Sequence, residues 1–291
     1  HPRGMLILFF RCWGYLPLRW AQALGAMGGR LMYLCSAGYR RRFDSFIRQA
    51  GFDQPLLRRR ALEEAGKTLA ELPWLWTRPM RETSALVQTQ DWAVVEAAQQ
   101  AGKGIIFLTP HLGCFEITAQ YYAAHAPITV LYSPPQHASL RQIVEQARQR
   151  HQLQTAPANM SGVKQLLRAL RRGEAVGILP DQVPTHANEG VWAEFFHRPA
   201  YTMTLPARLA ELTGAQIVLA FGRRLLHANG YSLHLSKLEL LSNQKQQQQA
   251  RQMNQAMEAL ISSCPEQYLW AYSRYKQPPG APSAPIQSEG A

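Results

Sequence analysis

The sequence predicts an α/β fold in which a central, mostly parallel sheet is flanked by helices, with an amphipathic, membrane-associated helical segment at the N-terminus. Three observations predict it. From about residue 60 onward, short apolar runs of strand length alternate with segments of helical spacing, the pattern of a sheet with helices on its faces. The helical segments between the runs are about ten to fifteen residues long. The chain has 291 residues, 46% of them hydrophobic, enough to bury a full core.

In chain order, "PLLRRRALEEAGKTLAELPWLW" gives Leu57, Ala61, Leu62, Ala65, Leu69 and Leu72 helical spacing, and Pro73 is expected to stop the helix. "DWAVVEAAQQAGKG" reads as a helix closed by Gly102 and Gly104, and "GIIFLTP" as a short buried strand. A helix to about Ala124 follows His111. Then come the strand "ITVLYS", the polar helix "HASLRQIVEQARQRH", the helix "GVKQLLRALRRG" and the strand "AVGILP", which ends at Asp181. "LPARLAELTG" is another helix, "AQIVLAFGRR" and "YSLHLSKLEL" form a strand pair, and "QQQQARQMNQAMEALISS" is the last long helix. The Pro/Ser/Gly-rich stretch 277–291 is expected to be disordered, which leaves an α/β domain over residues 41–276.

The formal charge of +12 is concentrated near the start of the chain: residues 1–60 hold eleven Arg against Asp44 and Asp53. The same region is rich in large apolar groups, yet Arg11, Arg19 and Arg30 cut it into charge-free stretches well short of the roughly 18 to 20 residues a membrane span needs. A secretory signal fits poorly, because no small-residue cleavage site follows and arginines recur. Trp13, Tyr15, Trp20 and Tyr33 among arginines suit the boundary layer of a bilayer. Residues 1–40 are therefore expected to anchor the protein, without spanning, on an anionic membrane surface at the cytoplasmic face. The alternative is a buried helix with a basic rim. No zinc finger, helix-turn-helix, RNP or GxxG signature accompanies the arginines, so no nucleic-acid partner is expected.

Cys12, Cys35, Cys114 and Cys264 are scattered, with no CxxC pair and no Cys/His cluster at zinc spacing, which suggests a reduced protein without structural metal. The chain carries no HExxH, P-loop, GxSxG or GxGxxG motif. In an open α/β sheet, ligands collect beyond the carboxyl ends of the strands. Two polar clusters lie there: "TPHLGCFE" after "GIIFL", and "PDQ" after "AVGIL".

His111 and Glu116 are five residues apart and cannot face each other on one helix, where they would lie about 140° apart. With His111 on a turn and Glu116 in the first turn of the following helix, the carboxylate could reach back to fix the imidazole for general-base chemistry. Equally, Glu116 could complement the helix dipole and His111 be a satisfied polar residue; spacing alone leaves both open. Cys114 offers a rival, a thioester nucleophile, although just inside a first turn it is expected to point into the core.

"HLGCFE" resembles the H-x4-D/E motif of the lysophospholipid acyltransferase superfamily. The ordered set of an Arg-rich apolar N-terminus, "GIIFLTPHLGCFE", an Arg-bearing helix, "GILPDQ", "FFHRPAYTMTLPARLA" and "PEQYLW" resembles the branch containing the bacterial lipid A biosynthesis (lauroyl/myristoyl) acyltransferases, over roughly residues 5–276. That resemblance implies acyl transfer from an acyl-carrier-protein or CoA thioester, as co-substrate, to a hydroxyl of a membrane glycolipid at the bacterial inner membrane, with no cofactor, no metal and no covalent acyl-enzyme. It assigns His111 as general base and Glu116 as its orienting partner. Arg148 or Arg150 would stabilise the oxyanion or bind acceptor phosphates, although by composition that stretch also reads as a solvated helix face. Asp181 and Gln182 would line the same cleft, and "FFHRPAYT" would be a loop shaping the acyl channel.

Three departures bear on the acceptor. His197 stands where the family has glycine, "LYSPPQ" where many members have arginine-proline after the tyrosine, and "AYSRYK" where a histidine-arginine-rich ending is usual. A lysophospholipid or ornithine-lipid acceptor, or a non-catalytic lipid-binding protein of the same fold, are the alternatives.

Overall fold

The computed structural model describes residues 8, 12–133, 150, 152–241 and 244–285. Nine helices are used below: α1 (Leu18–Cys35), α2 (Ala37–Gln49), α3 (Pro55–Thr77), α4 (Met80–Ser84), α5 (Trp92–Gln100), α6 (Phe115–Ala123), α7 (Met160–Arg171), α8 (Leu205–Thr213) and α9 (Gln246–Ser263). The strands are β1 (Val87–Gln88), β2 (Ile105–Leu108), β3 (Ile128–Tyr132), β4 (Leu153–Pro157), β5 (Ala175–Ile178), β6 (Gly190–Phe195), β7 (Arg198–Met203), β8 (Gln216–Arg224) and β9 (Tyr231–Leu238).

Seven strands form one sheet in the order β1-β9-β8-β2-β5-β3-β4. The run from β8 to β4 is parallel; β9 turns back antiparallel on β8 and carries β1 as a parallel edge. The expected α/β class is therefore the observed one. β2 lies inside the sheet and its four residues are all buried, which is why "IIFL" reads as a continuous apolar run rather than an alternating one. Phe107, Ile128, Val218 and Ala220 face α5 and α6 in one core cluster. Leu108, Ile178, Leu219 and Phe221 face α2, α7, α8 and α9 in the other.

Several elements differ from expectation for identifiable reasons. Pro73 does not end its helix; α3 runs on to Thr77 because Trp74, Leu75 and Trp76 are all buried. The carbonyl freed by the missing proline N–H is that of Leu69, an exposed residue, so solvent can satisfy it. β4, whose burial alternates weakly, was not anticipated. "FFHRPAYT" is no loop but the turn of the β6–β7 hairpin, in which Phe196 and His197 both have positive φ, 45° and 61°. Two such residues make the tight turn whose twist suits a hairpin, and glycine is the residue that tolerates it best. Phe195 and Phe196 pack into the core against Trp270 and Tyr275, away from either apolar cavity described below. Part of the expected tail is placed: Trp192 Nε1 donates to the Pro282 carbonyl at 2.8 Å. The polar helix expected over 137–151 lies almost wholly outside the described residues.

α1 buries Leu18, Ala21, Gln22, Gly25 and Gly29 against α3, a stripe at helical spacing. Backbones approach closely here, since a methyl group on Gly66 would collide with the Gly25 carbonyl and one on Gly29 with the Leu62 carbonyl. The opposite side exposes Trp20, Leu24, Met27, Leu31 and Leu34. Of the four aromatic residues expected at a bilayer boundary, Tyr15 and Trp20 face outward, whereas Trp13 donates to the Ala70 carbonyl and the Tyr33 hydroxyl to Asp44. α2 runs through residue 40, where the N-terminal segment was expected to end. Among the described residues no helix is long and apolar enough to cross a membrane.

The packing predicts opposite outcomes for two glycines that both lie inside helices. Gly66→Ala should lower stability by about 1–3 kcal/mol through overpacking. Gly28→Ala, with nothing within 4 Å of the added methyl, should be neutral or gain up to roughly 1 kcal/mol of helix propensity. Chemical denaturation of the two variants distinguishes them.

Candidate active site

The site is built by the register of β2 and β5. Leu108 pairs with Ile178, and the Thr109 N–H donates to the Ile178 carbonyl at 3.0 Å, extending the ladder by one residue. Each chain then passes a proline, Pro110 or Pro180, which cannot donate to a further rung. The third residue beyond each strand is His111 on one side and Asp181 on the other. Equal offsets from paired residues bring them into contact.

The contact is a two-point clamp. Asp181 Oδ1 lies 3.0 Å from His111 Nδ1, and Oδ2 accepts the His111 backbone N–H at 3.0 Å. The Tyr268 hydroxyl donates to Oδ2 at 3.1 Å. Asp181 is 0% exposed. Burial by itself would raise its carboxyl, but the His111 charge and both His111 hydrogen bonds, with Arg274 behind, hold it below the usual carboxylate range. An ionised Asp181 fixes the proton on Nδ1, which leaves Nε2 as the nitrogen that can accept one. Tyr272 stacks on the imidazole at 4.6 Å and 21°, and Phe115 meets it edge-on at 5.4 Å.

The turn that carries His111 is pinned from three sides. Gly113 has φ +59°, and a methyl group there would collide with the Gly222 carbonyl. Its N–H donates to the Gln267 carbonyl and that of Cys114 to the Gly222 carbonyl, at 2.9 and 2.8 Å. The Leu269 N–H donates to the His111 carbonyl at 3.0 Å. Behind it Gln267 exchanges two hydrogen bonds with the Arg224 backbone. The buried Arg224 guanidinium bonds Glu71 at 2.8 Å, Glu64 at 2.6 Å and Thr68 at 2.9 Å on α3.

The structure thus changes the partner expected for His111. Its ring Nδ1 bonds Asp181, which the strand register delivers to it, and not Glu116. Glu116 is the second residue of α6, buried, and accepts a hydrogen bond from Trp76 Nε1 at 3.2 Å. It lines a narrow apolar slot with Phe107, Phe115, Ile128, Val130 and Gly177. Arg150 donates to the Leu75 carbonyl at 2.7 Å and to the Arg78 carbonyl, at the C-terminal end of α3, where a cation offsets the helix dipole. Burial lowers the Arg150 pKa and the Glu116 charge partly restores it. Arg148 lies outside the described residues. Gln182 does not join the clamp; its amide donates to Ser133 Oγ at 2.7 Å and lines a separate crevice.

Cys114 is buried and packs with Ile117, Trp74 and Leu75, as expected of a core residue. Burial, reinforced by Glu71, pushes its thiol well above its ordinary value, which disfavours the thiolate that a nucleophile requires. Sequence reasoning missed Tyr268, Tyr272 and Arg274. Burial and the Asp181 charge keep the Tyr268 hydroxyl protonated and push Tyr272 up to about 12. Arg274 is buried, bonding the Tyr201 carbonyl, Thr202 and Asn254. The only signal was "QYLWAYSR" itself, a run of aromatic residues and arginine after the last helix. Among the described residues no cluster of His, Cys, Asp and Glu could hold a metal ion.

The arrangement can do base chemistry on a substrate held against an apolar slot. A family model described as bacterial lipid A biosynthesis acyltransferase matches residues 4–277. A lipid A biosynthesis acyltransferase of Haemophilus influenzae is 30% identical over 60% of this chain and 55% of its own length. A lipid A biosynthesis lauroyltransferase of Escherichia coli is 26% identical over 76% of this chain and 72% of its own length. A palmitoleoyltransferase of the same organism and process is 24% identical over 74% and 69%. The chain therefore spans little more than half the length of the first of these relatives.

If Asp181 sets the imidazole tautomer, Asp181→Asn should reduce turnover by about 10³ to 10⁴-fold with substrate KM little changed. Tyr268→Phe, which removes one of three hydrogen bonds to the carboxylate, should cost roughly tenfold. Steady-state kinetics of the two variants gives both numbers.

Proposed function

The chain belongs to the bacterial lipid A biosynthesis acyltransferase family, and from that premise we propose that it moves a fatty acyl group from an acyl-carrier-protein or CoA thioester to a hydroxyl of a lipid A precursor. The observation that carries this reading is the Asp181 clamp on His111 beside an apolar slot. His111 Nε2 takes the proton of the acceptor hydroxyl as its oxygen attacks the thioester carbonyl. Asp181 stabilises the imidazolium that forms. The tetrahedral intermediate collapses with cleavage of the C–S bond, and the imidazolium returns the proton to the departing thiolate. The acyl group passes directly from the thioester sulfur to the acceptor oxygen, so no acyl-enzyme is needed.

Developing charge on the carbonyl oxygen meets the positive end of α6, which begins at Phe115 next to His111. Glu116 serves as counter-charge to Arg150 in the slot wall, and an arginine of this segment, Arg148 or Arg150, binds acceptor phosphates. The slot holds the transferred chain. The acidic carrier protein meets a basic entrance. The exposed apolar side of α1, flanked by Arg19 and Arg30, lies in the boundary layer of the inner membrane on its cytoplasmic face.

Incubation with labelled acyl-carrier-protein thioesters and a membrane lipid extract, followed by mass spectrometry, tests the reaction and names the acceptor together. His111→Ala should abolish acyl gain on any lipid and Cys114→Ala should keep most of it; an acyl adduct trapped on Cys114 would reverse the assignment. For the membrane, Leu24→Glu with Leu31→Glu, which replaces two residues of the apolar side by charges that anionic lipid repels, should remove most co-sedimentation with vesicles containing anionic lipid. Unchanged sedimentation would place the anchor elsewhere.

A further inference from the structure

A second apolar cavity opens at the same end of the sheet, on the face opposite the slot. It is a crevice of about 170 Å3 between α7 and α8. Met160, Val163 and Leu167 form one wall at i, i+3 and i+7; Leu205, Leu209 and Leu212 form the other at i, i+4 and i+7. Its inner end begins at Gln182, next to Asp181, and at Val183, whose N–H donates at 3.1 Å to the Tyr272 hydroxyl. The Tyr272 ring is the one stacked on His111. Its outer end has lips that a surface facing only water would not choose: Met160 is 71% exposed and Leu212 63%. Arg208, exposed on α8, stands at the rim.

Leu131 of β3 borders both cavities, so the clamp lies between two apolar sites on opposite faces of one sheet. Acyl transfer to a lipid brings two hydrocarbon chains to one histidine, and the slot is too narrow for both. The cavities differ in the way that separates the two chains. The slot is lined by Phe107, Ile128 and Phe115, the last in contact with the imidazole, which suits the chain attached to the reacting carbonyl. The crevice is open at an exposed apolar lip, so a chain can lie in it while the remainder of its lipid stays in a bilayer. An apolar cavity of about 150 Å3 already accepts a small hydrocarbon in place of water.

We infer that the α7–α8 crevice holds a hydrocarbon chain of the lipid acceptor, with Arg208 at its rim paired to an anionic group of the headgroup. The inference rests on the acyl-transfer reading above. Met160→Ser with Leu212→Ser makes the lip polar without touching the core, and Val163→Trp fills the crevice. Both variants should raise KM for a purified lipid A precursor about tenfold and leave KM for acyl carrier protein thioester and the preference for acyl length unchanged. A raised donor KM, an altered length preference or no change at all would overturn it.

A measurement independent of turnover uses the His111→Ala protein and a phosphorylated disaccharide lipid bearing a diazirine at the end of one acyl chain. Photolabel is expected on α7 and α8 peptides and reduced by Arg208→Ala. Label on Phe115 or Ala119, or none competed by unmodified lipid, would sink the proposal. Should the unaltered protein transfer no acyl group while the label still falls in the crevice, the acyl-transfer reading fails and the crevice assignment stands.

Discussion

The parallel pairing of β2 with β5 is the constraint on which the rest depends. A ladder that aligns Leu108 with Ile178 leaves no freedom in where the following residues emerge, and a proline at the same offset in each strand ends the pairing at the same level. Contact between His111 and Asp181 is then a consequence of register, not of loop adaptation. Slipping either strand by one residue would reverse its side chains between the two core clusters. The buried alternation of Phe107 and Leu108, one to each face, forbids that slip. Core packing and site geometry are in this sense a single requirement.

A second structure braces the turn from behind. Gly113 hangs from the Gln267 carbonyl, Gln267 is locked to the Arg224 backbone, and the Arg224 side chain is sunk among Glu71, Glu64 and Thr68. Buried ion pairs are weak contributors to net stability, because desolvation offsets most of the Coulombic gain. Their cost when mismatched is large, however, so this cluster admits one seating of α3 against β8. α3 in turn receives α1 through the glycine contacts and sends Trp76 to Glu116. The helix with the exposed apolar side and the slot wall are therefore held by the same rigid element.

The sequence made the sheet legible where apolar runs were long and bounded, as at "GIIFL", "AVGIL" and "AQIVLAF". It did not reveal β4 or the β6–β7 hairpin, since one alternates weakly and the other turns on Phe-His rather than on a glycine. Of the site, both polar clusters were found by their place beyond strand ends. Their pairing was not, because chain order gives no strand order: β2 and β5 are neighbours although about 70 residues and two other strands separate them. Glu116 was the nearest carboxylate in sequence and Asp181 the nearest in space. The tyrosines that hold Asp181 and flank His111 come from an irregular C-terminal stretch with no periodicity to read.

That irregular stretch decides the electrostatics of the site. A carboxylate at 0% exposure would ordinarily be driven toward its neutral form, and a neutral Asp181 could no longer stabilise an imidazolium. Tyr268 donates to it directly and Arg274, itself buried among Tyr201, Thr202 and Asn254, adds positive charge from behind. Tyr272 accepts from the Val183 N–H, and its face fixes the plane in which the ring presents Nε2. Strand register delivers His111 and Asp181, and the C-terminal segment keeps Asp181 ionised and the imidazole aimed. The departure of "AYSRYK" from the family's usual ending thus falls on residues that surround the His111–Asp181 pair.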